Sequence, residues 1–166
     1  MLFRSRDVLR FAREEPGELQ PVKLNDLLQR ALQLTRRRAD HHHVRLEFLP
    51  GTDLPALTAN PTQIEQALVS ILDNAIQASS SGQTVHIQTE STGAAVRARI
   101  HDEGRGMGER EREHAFDPFY TNRGREGGVG MGLSMAHGIV TDHGGTIEIV
   151  SQPGQGTTIS VELPVT

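Results

Sequence analysis

"PTQIEQALVSILDNAIQASS", residues 61–80, is the stretch on which the fold turns. Pro61 suits the first turn of a helix, because a proline at the first helical position loses an N–H that would have no partner there anyway. At about 100° per residue from Ile64, the residues Ala67, Leu68, Ile71, Leu72, Ala75 and Ala78 fall in one arc and form a continuous apolar stripe. Gln63, Gln66, Ser70, Asn74 and Gln77 lie together along one flank of it. That polar track either lines a cleft or is the solvated boundary of an ordinary amphipathic helix, and geometry alone leaves both open.

Upstream, "LLQRALQLTRRRADHH" places Leu27, Leu28, Ala31, Leu32 and Leu34 at helical spacing, which predicts a helix over about 25–41 with Asn25 or Asp26 as its cap. "MLFRSRDVLRFAREE" reads as a further helix ending at Pro16-Gly17, and Pro16 to Pro21 has linker chemistry. "VRLEFLP" alternates as a strand, and "LPALTAN" reads as a short second strand beside it. Downstream, "TVHIQTE" and "AAVRARIHDEG" read as a hairpin whose second strand runs into Asp102, and "EREREHAF" as a short helix. "DPFYTNRGREGGVG" has no apolar period. Helical spacing then resumes through Met131, Met135, Ile139 and Val140, and "TIEIVS" and "TTISVELP" form a closing hairpin around "QPGQG". The order predicts an α/β fold, a two-layer sandwich with helices on one face of a mixed sheet.

Composition bounds the function. The 166 residues suffice for one domain and a short appendage. A net charge of −4 and a pI near 6.0 argue against a nucleic-acid partner, which calls for a basic surface. With no cysteine there is no disulfide framework and no thiol nucleophile. Apolar runs fall short of the roughly 20 residues that span a bilayer, so no direct membrane contact is expected. The glycines at 127, 128, 130 and 132 do not follow a strand as a dinucleotide fingerprint requires, and no Gly-Lys-Ser/Thr is present for a P-loop.

Five segments in order carry a resemblance: "QIEQALVSILDNAIQA", "DEGRGM", "FDPFYTNR", "GVGMGLS" and "PGQGTTISVELP". They resemble the N, G1, F, G2 and Gly-Thr boxes of the catalytic and ATP-binding domain of sensor histidine kinases, a branch of the GHKL ATPases. The resemblance implies ATP and Mg²⁺ as ligands. Asn74 matches the residue whose side-chain oxygen binds Mg²⁺, a cation that favours hard oxygen donors shared with phosphates and water. Asp102 matches the carboxylate that accepts from the adenine amino group, with Gly104, Gly106 and Met107 completing its box; the bland reading of Asp102 is a strand-end turn residue. The two glycines would allow close backbone approach to the base. Thr157 resembles the hydroxyl beside that aspartate, or is an ordinary strand threonine. Phe116 and Phe119 match the F box and are lid structure. Gly128, Gly130, Gly132 and Leu133 match the G2 box, whose N–H groups and helix N-terminus would face the triphosphate. Arg123 and Arg125 either reach phosphate from the lid or are simply solvated.

Two departures bear on phosphate contacts: Ser70 stands where many members have an asparagine, and Gln77 where several have a basic residue. The family's acceptor histidine sits on a helical hairpin ahead of this domain, and none of the eight histidines fits it. His41, His42 and His43 close a helix, His86 lies mid-strand and His101 immediately precedes Asp102. His114 lies before the F box, and His137 and His143 follow the G2 box. The resemblance therefore implies residues 1–20 as the end of a dimerisation helix with its linker, and 21–166 as the catalytic domain with a lid at about 117–131. No catalytic phosphoacceptor is expected in this chain, which as a fragment would not phosphorylate itself. The implied partners are a histidine-bearing dimerisation domain and a response regulator receiver domain, and the implied location is cytoplasmic. A serine kinase of the anti-sigma type and a non-catalytic nucleotide-binding module are the rival readings.

Overall fold

The computed structural model describes residues 18–118 and 132–165. The expected helix at the N-terminus and most of the expected lid lie outside these residues. Among the described residues the elements run β1 (Gln20–Val22), α1 (Leu24–His41), β2 (Arg45–Leu49), β3 (Leu57–Ala59), α2 (Pro61–Ala78), β4 (Thr84–Ser91), β5 (Ala95–Asp102), α3 (Glu109–His114), α4 (Gly132–Asp142), β6 (Thr146–Ser151) and β7 (Thr157–Pro164).

Five strands form one sheet in the order β2-β4-β5-β7-β6. β2 pairs parallel to β4 and every other neighbour is antiparallel, so the sheet is mixed as expected. Both expected hairpins form. The early strand pair does not: β2 joins the main sheet, whereas β3 pairs antiparallel with β1 in a separate two-stranded ribbon. The stretch expected to be linker thus ends in a strand. Val22, the apolar residue of β1, is buried there with Leu57 and Ala59, and a three-residue segment carries too little periodicity to announce itself.

The inward face of the sheet is set by strict alternation. Val96, Ala98 and Ile100 on β5, and Ile159, Val161 and Leu163 on β7, are buried against the helices, while the residues between them face out. α1, α2 and α4 cover that inward face, with α2 packed between the other two. This sandwiching widens the buried face of α2. Ile64, Ala67, Leu68, Ile71, Leu72 and Ala75 are buried as the stripe predicts, but Ile76 outside the arc is fully buried too and Ala78 only half so. Each fully buried Ile or Leu contributes about 1.5–3 kcal/mol.

The α2 N-terminus forms as its sequence dictates, Asn60 Oδ1 accepting from Gln63 N–H at 3.2 Å with Pro61 following. The expected cap of α1 does not form. Lys23 occupies the cap position with no side-chain bond, and Asn25 is drawn elsewhere. Its Nδ2 donates to the Gly51 carbonyl at 3.0 Å, and its Oδ1 accepts from the Thr89 hydroxyl at 2.6 Å. Thr89 Oγ1 in turn accepts from Gly51 N–H at 2.8 Å, so Asn25 ties α1 to the sheet.

Candidate functional site

The alternation that buries Val96, Ala98 and Ile100 carries on to Asp102 and turns its carboxylate inward. Asp102 is 2% exposed. Its register partner on β7 is Thr157, whose other neighbour is Ser151 on β6, so Asp102, Thr157 and Ser151 form one row across three strands at the sheet end. All three are buried. Burial raises the Asp102 carboxyl above the usual aspartate range, while the Gly104 N–H, the neighbouring His101 and the Thr157 backbone pull it back down. The Gly104 N–H donates to Asp102 Oδ1 at 2.9 Å.

The loop after Asp102 is locked onto the β6–β7 turn. Gly154 N–H donates to the Arg105 carbonyl at 2.7 Å, and Met107 N–H to Ser151 Oγ at 2.7 Å. The glycines here serve close approach within the chain. A Cβ on Gly106, at φ +72, would lie 1.9 Å from the Gln152 carbonyl oxygen; one on Gly156, at φ +74, would lie 2.1 Å from the Asp102 carbonyl oxygen. A Cβ on Gly104 would lie 2.2 Å from the Ala78 carbonyl oxygen, which places the end of α2 against this loop.

Midway along α2, its polar flank meets α4. A Cβ on Gly132, the first residue of α4, would contact Ser70 Cβ at 3.8 Å. Asn74 is one turn after Ser70 and one turn before Ala78, so it lies on the same flank between the α4 N-terminus and the Asp102 loop. Ser70 and Asn74 are half-buried and Gln77 is exposed. Met107 is half-buried, and Leu133 packs against the core. Phe116 also packs on the core and stacks on His137 with centroids 4.8 Å apart. Phe119, Arg123, Arg125, Gly128 and Gly130 lie outside the described residues. Of the site residues foreseen, the structure brings Asp102, Gly104, Gly106, Met107 and Thr157 together at the C-terminal end of α2, and Gly132 to the middle of that helix. Ser151 went unforeseen: a serine at a strand end carries no signal until the register sets it beside Thr157.

The opposite face of the sheet holds a groove of about 640 Å³, lined among others by His86, Arg97, Arg99, His101 and Glu162. It is laced with its own ion pairs, Arg97 with Glu162 and Glu90 and His86 with Glu103. It lies across the sheet from Asp102.

A mixed sheet covered on one face by helices, with a carboxylate turned into the layer between them at a strand end, defines a two-layer α/β domain with a buried polar site. The family described as histidine kinase-, DNA gyrase B-, and HSP90-like ATPase matches residues 59–166, and the chain belongs to that family. Its relatives include the sensor histidine kinase ZraS of Escherichia coli (strain K12), 35% identical over 147 residues, which cover 89% of this chain and 31% of that protein. The solved catalytic domain of histidine kinase ThkA superposes with a TM-score of 0.79 at 26% identity, covering 89% of this chain and 95% of that one. ThkA in complex with the response regulator protein TrrA gives a TM-score of 0.79 at 25% identity, covering 97% and 46%. The chain spans about a third of the length of the curated relatives it matches. It has the form of the ATP-binding catalytic domain of a sensor histidine kinase, and the serine-kinase reading gains nothing from these relatives. No helix among the described residues is long and apolar enough to cross a membrane.

Proposed function

We propose that this domain binds ATP with Mg²⁺ and delivers the γ-phosphoryl group to a histidine on a dimerisation domain, from which it passes to an aspartate of a response regulator receiver domain in the cytoplasm. The buried carboxylate of Asp102 is the observation that carries the reading. An ionised carboxylate only accepts hydrogen bonds, and burying one is costly unless a donor meets it. The adenine amino group is such a donor, and Thr157 stands beside Asp102 to share it.

The polar flank of α2 then runs from the base toward the phosphates. From Ser70 to Ala78 it extends about 12 Å along the helix axis, and Asn74 lies midway. The donor chemistry fits Mg²⁺: the Asn74 amide oxygen is a hard, neutral ligand of the kind that cation shares with phosphates and water. The N-terminus of α4 at Gly132 and Leu133 would turn N–H groups toward phosphate oxygens, and Gln77 would add a neutral contact. Arg123, Gly128, Gly130 and Phe119 would complete the enclosure from the lid. Bound Mg²⁺ would neutralise charge on the phosphates, and the chain's contribution is positioning.

The similarity to ThkA, solved with its response regulator TrrA, supports the receiver-domain partner. The test is incubation of the gene product containing this chain with γ-labelled ATP and Mg²⁺. An acid-labile, base-stable label that disappears in Asn74→Ala is expected. A wild-type protein that binds ATP yet labels neither itself nor an added histidine-bearing domain would overturn the kinase reading.

A further inference from the structure

The Ser151 hydroxyl has three hydrogen-bond partners, and their chemistry leaves one way to place the protons. Met107 N–H can only donate to Ser151 Oγ, at 2.7 Å. The Gly156 carbonyl can only accept, at 3.1 Å. The third partner, Thr157 Oγ1 at 2.7 Å, can do either. A serine hydroxyl has one proton and two lone pairs. With one lone pair taken by Met107 and the proton given to Gly156, the remaining lone pair must take the proton of Thr157. The reverse assignment would deprive the buried Gly156 carbonyl of its Ser151 partner and leave a lone pair on Ser151 unused, at a cost of about 1–3 kcal/mol.

We propose that Ser151 fixes Thr157 as a hydrogen-bond acceptor toward the bound base, making Ser151 a specificity-determining residue that favours a 6-amino over a 6-oxo purine; this rests on the ATP-site reading above. Thr157 has given its proton away, so it offers the ligand only lone pairs, and so does the ionised Asp102 beside it. Two adjacent acceptors, met directly, match the two protons of an amino group. A 6-oxo group presents lone pairs to lone pairs. Removing Ser151 frees the Thr157 proton to turn outward, and the row then tolerates an acceptor on the ligand. Ser151 itself touches no ligand in this account and acts through Thr157.

The experiment compares Mg²⁺-dependent binding of ATP and inosine triphosphate to wild type, Ser151→Ala and Thr157→Val, with thermal unfolding recorded for each. Wild type prefers ATP. Ser151→Ala lowers the ATP-to-inosine-triphosphate affinity ratio roughly three- to tenfold, the value of one hydrogen bond. Thr157→Val leaves the Ser151 bonds to Met107 and Gly156 in place and lowers the same ratio by removing an acceptor from ATP alone. In an Asp102→Asn background, adding Ser151→Ala raises inosine triphosphate affinity, since both side chains can then donate. A Ser151→Ala protein that loses both nucleotides equally shows a merely structural serine and overturns the proposal. A ratio that rises in Thr157→Val overturns it too, because Thr157 would then be a donor. A folded wild type that binds neither nucleotide overturns the ATP-site reading itself.

Discussion

Asn60 donates its backbone N–H to Nε2 of His143 at 3.1 Å, across 83 residues of sequence, while Nδ1 of the same ring reaches the Ile139 carbonyl at 2.7 Å. The two partners assign the tautomer: Nδ1 carries the proton and Nε2 accepts. Asn60 caps α2 and His143 directly follows α4, so one imidazole joins the ends of the two helices that flank the candidate nucleotide site. His143→Ala leaves the Asn60 N–H without this partner and is expected to cost about 1–3 kcal/mol, measured by urea unfolding. A variant as stable as wild type would show that the link contributes nothing.

Asp102→Asn is expected to raise stability while damaging function. The folded state holds the Asp102 proton to higher pH than the unfolded chain does, because burial raises its carboxyl. The sign follows from proton linkage: stability falls as pH rises from the ordinary aspartate range through the raised folded value, and the penalty is complete above it. An asparagine keeps an oxygen for the Gly104 N–H and carries no charge. Its melting temperature should exceed that of wild type at neutral pH, and the difference should shrink as the solution is acidified. A variant that melts lower than wild type at neutral pH would contradict this.

Two glycine substitutions should diverge. Gly156→Ala adds a methyl 2.1 Å from a backbone oxygen at positive φ, where neither the oxygen nor the strand can yield, and a loss of at least about 2–3 kcal/mol is expected. Gly138→Ala, inside α4 with nothing within 4 Å of the new methyl, should gain about 0.5–1 kcal/mol from helix propensity. Denaturant midpoints read both, and equal effects would contradict the account.

The parts of the fold legible in the sequence are those with a sustained period. The α2 stripe, the two hairpins and the polar flank holding Asn74 all repeat often enough to be seen, and they fix the antiparallel part of the sheet and its helical layer. What escaped depends on partners distant in the chain. Asn25 has the residue type of a helix cap, yet Gly51 and Thr89 compete for it and win. β2 and β3 look like neighbours because they are close in sequence, but register with β4 and β1 separates them. Ile76 lies outside the apolar arc and is buried because α2 has a helix on either side. Gly104 and Gly106 signal close approach, and only the structure shows that the carbonyls of Ala78 and Gln152 are what they approach. Ser151 becomes a site residue solely through pairing with Thr157.

The central claim is that the buried carboxylate of Asp102 reads an adenine nucleotide, and calorimetric titration of ATP into wild type and Asp102→Asn in the presence of Mg²⁺ tests it most directly. A charged acceptor lost from a buried contact is worth about 1.5–3 kcal/mol, so the account predicts binding to wild type and affinity weakened at least about tenfold in a variant that remains folded. Equal ATP affinity in the two proteins would contradict it.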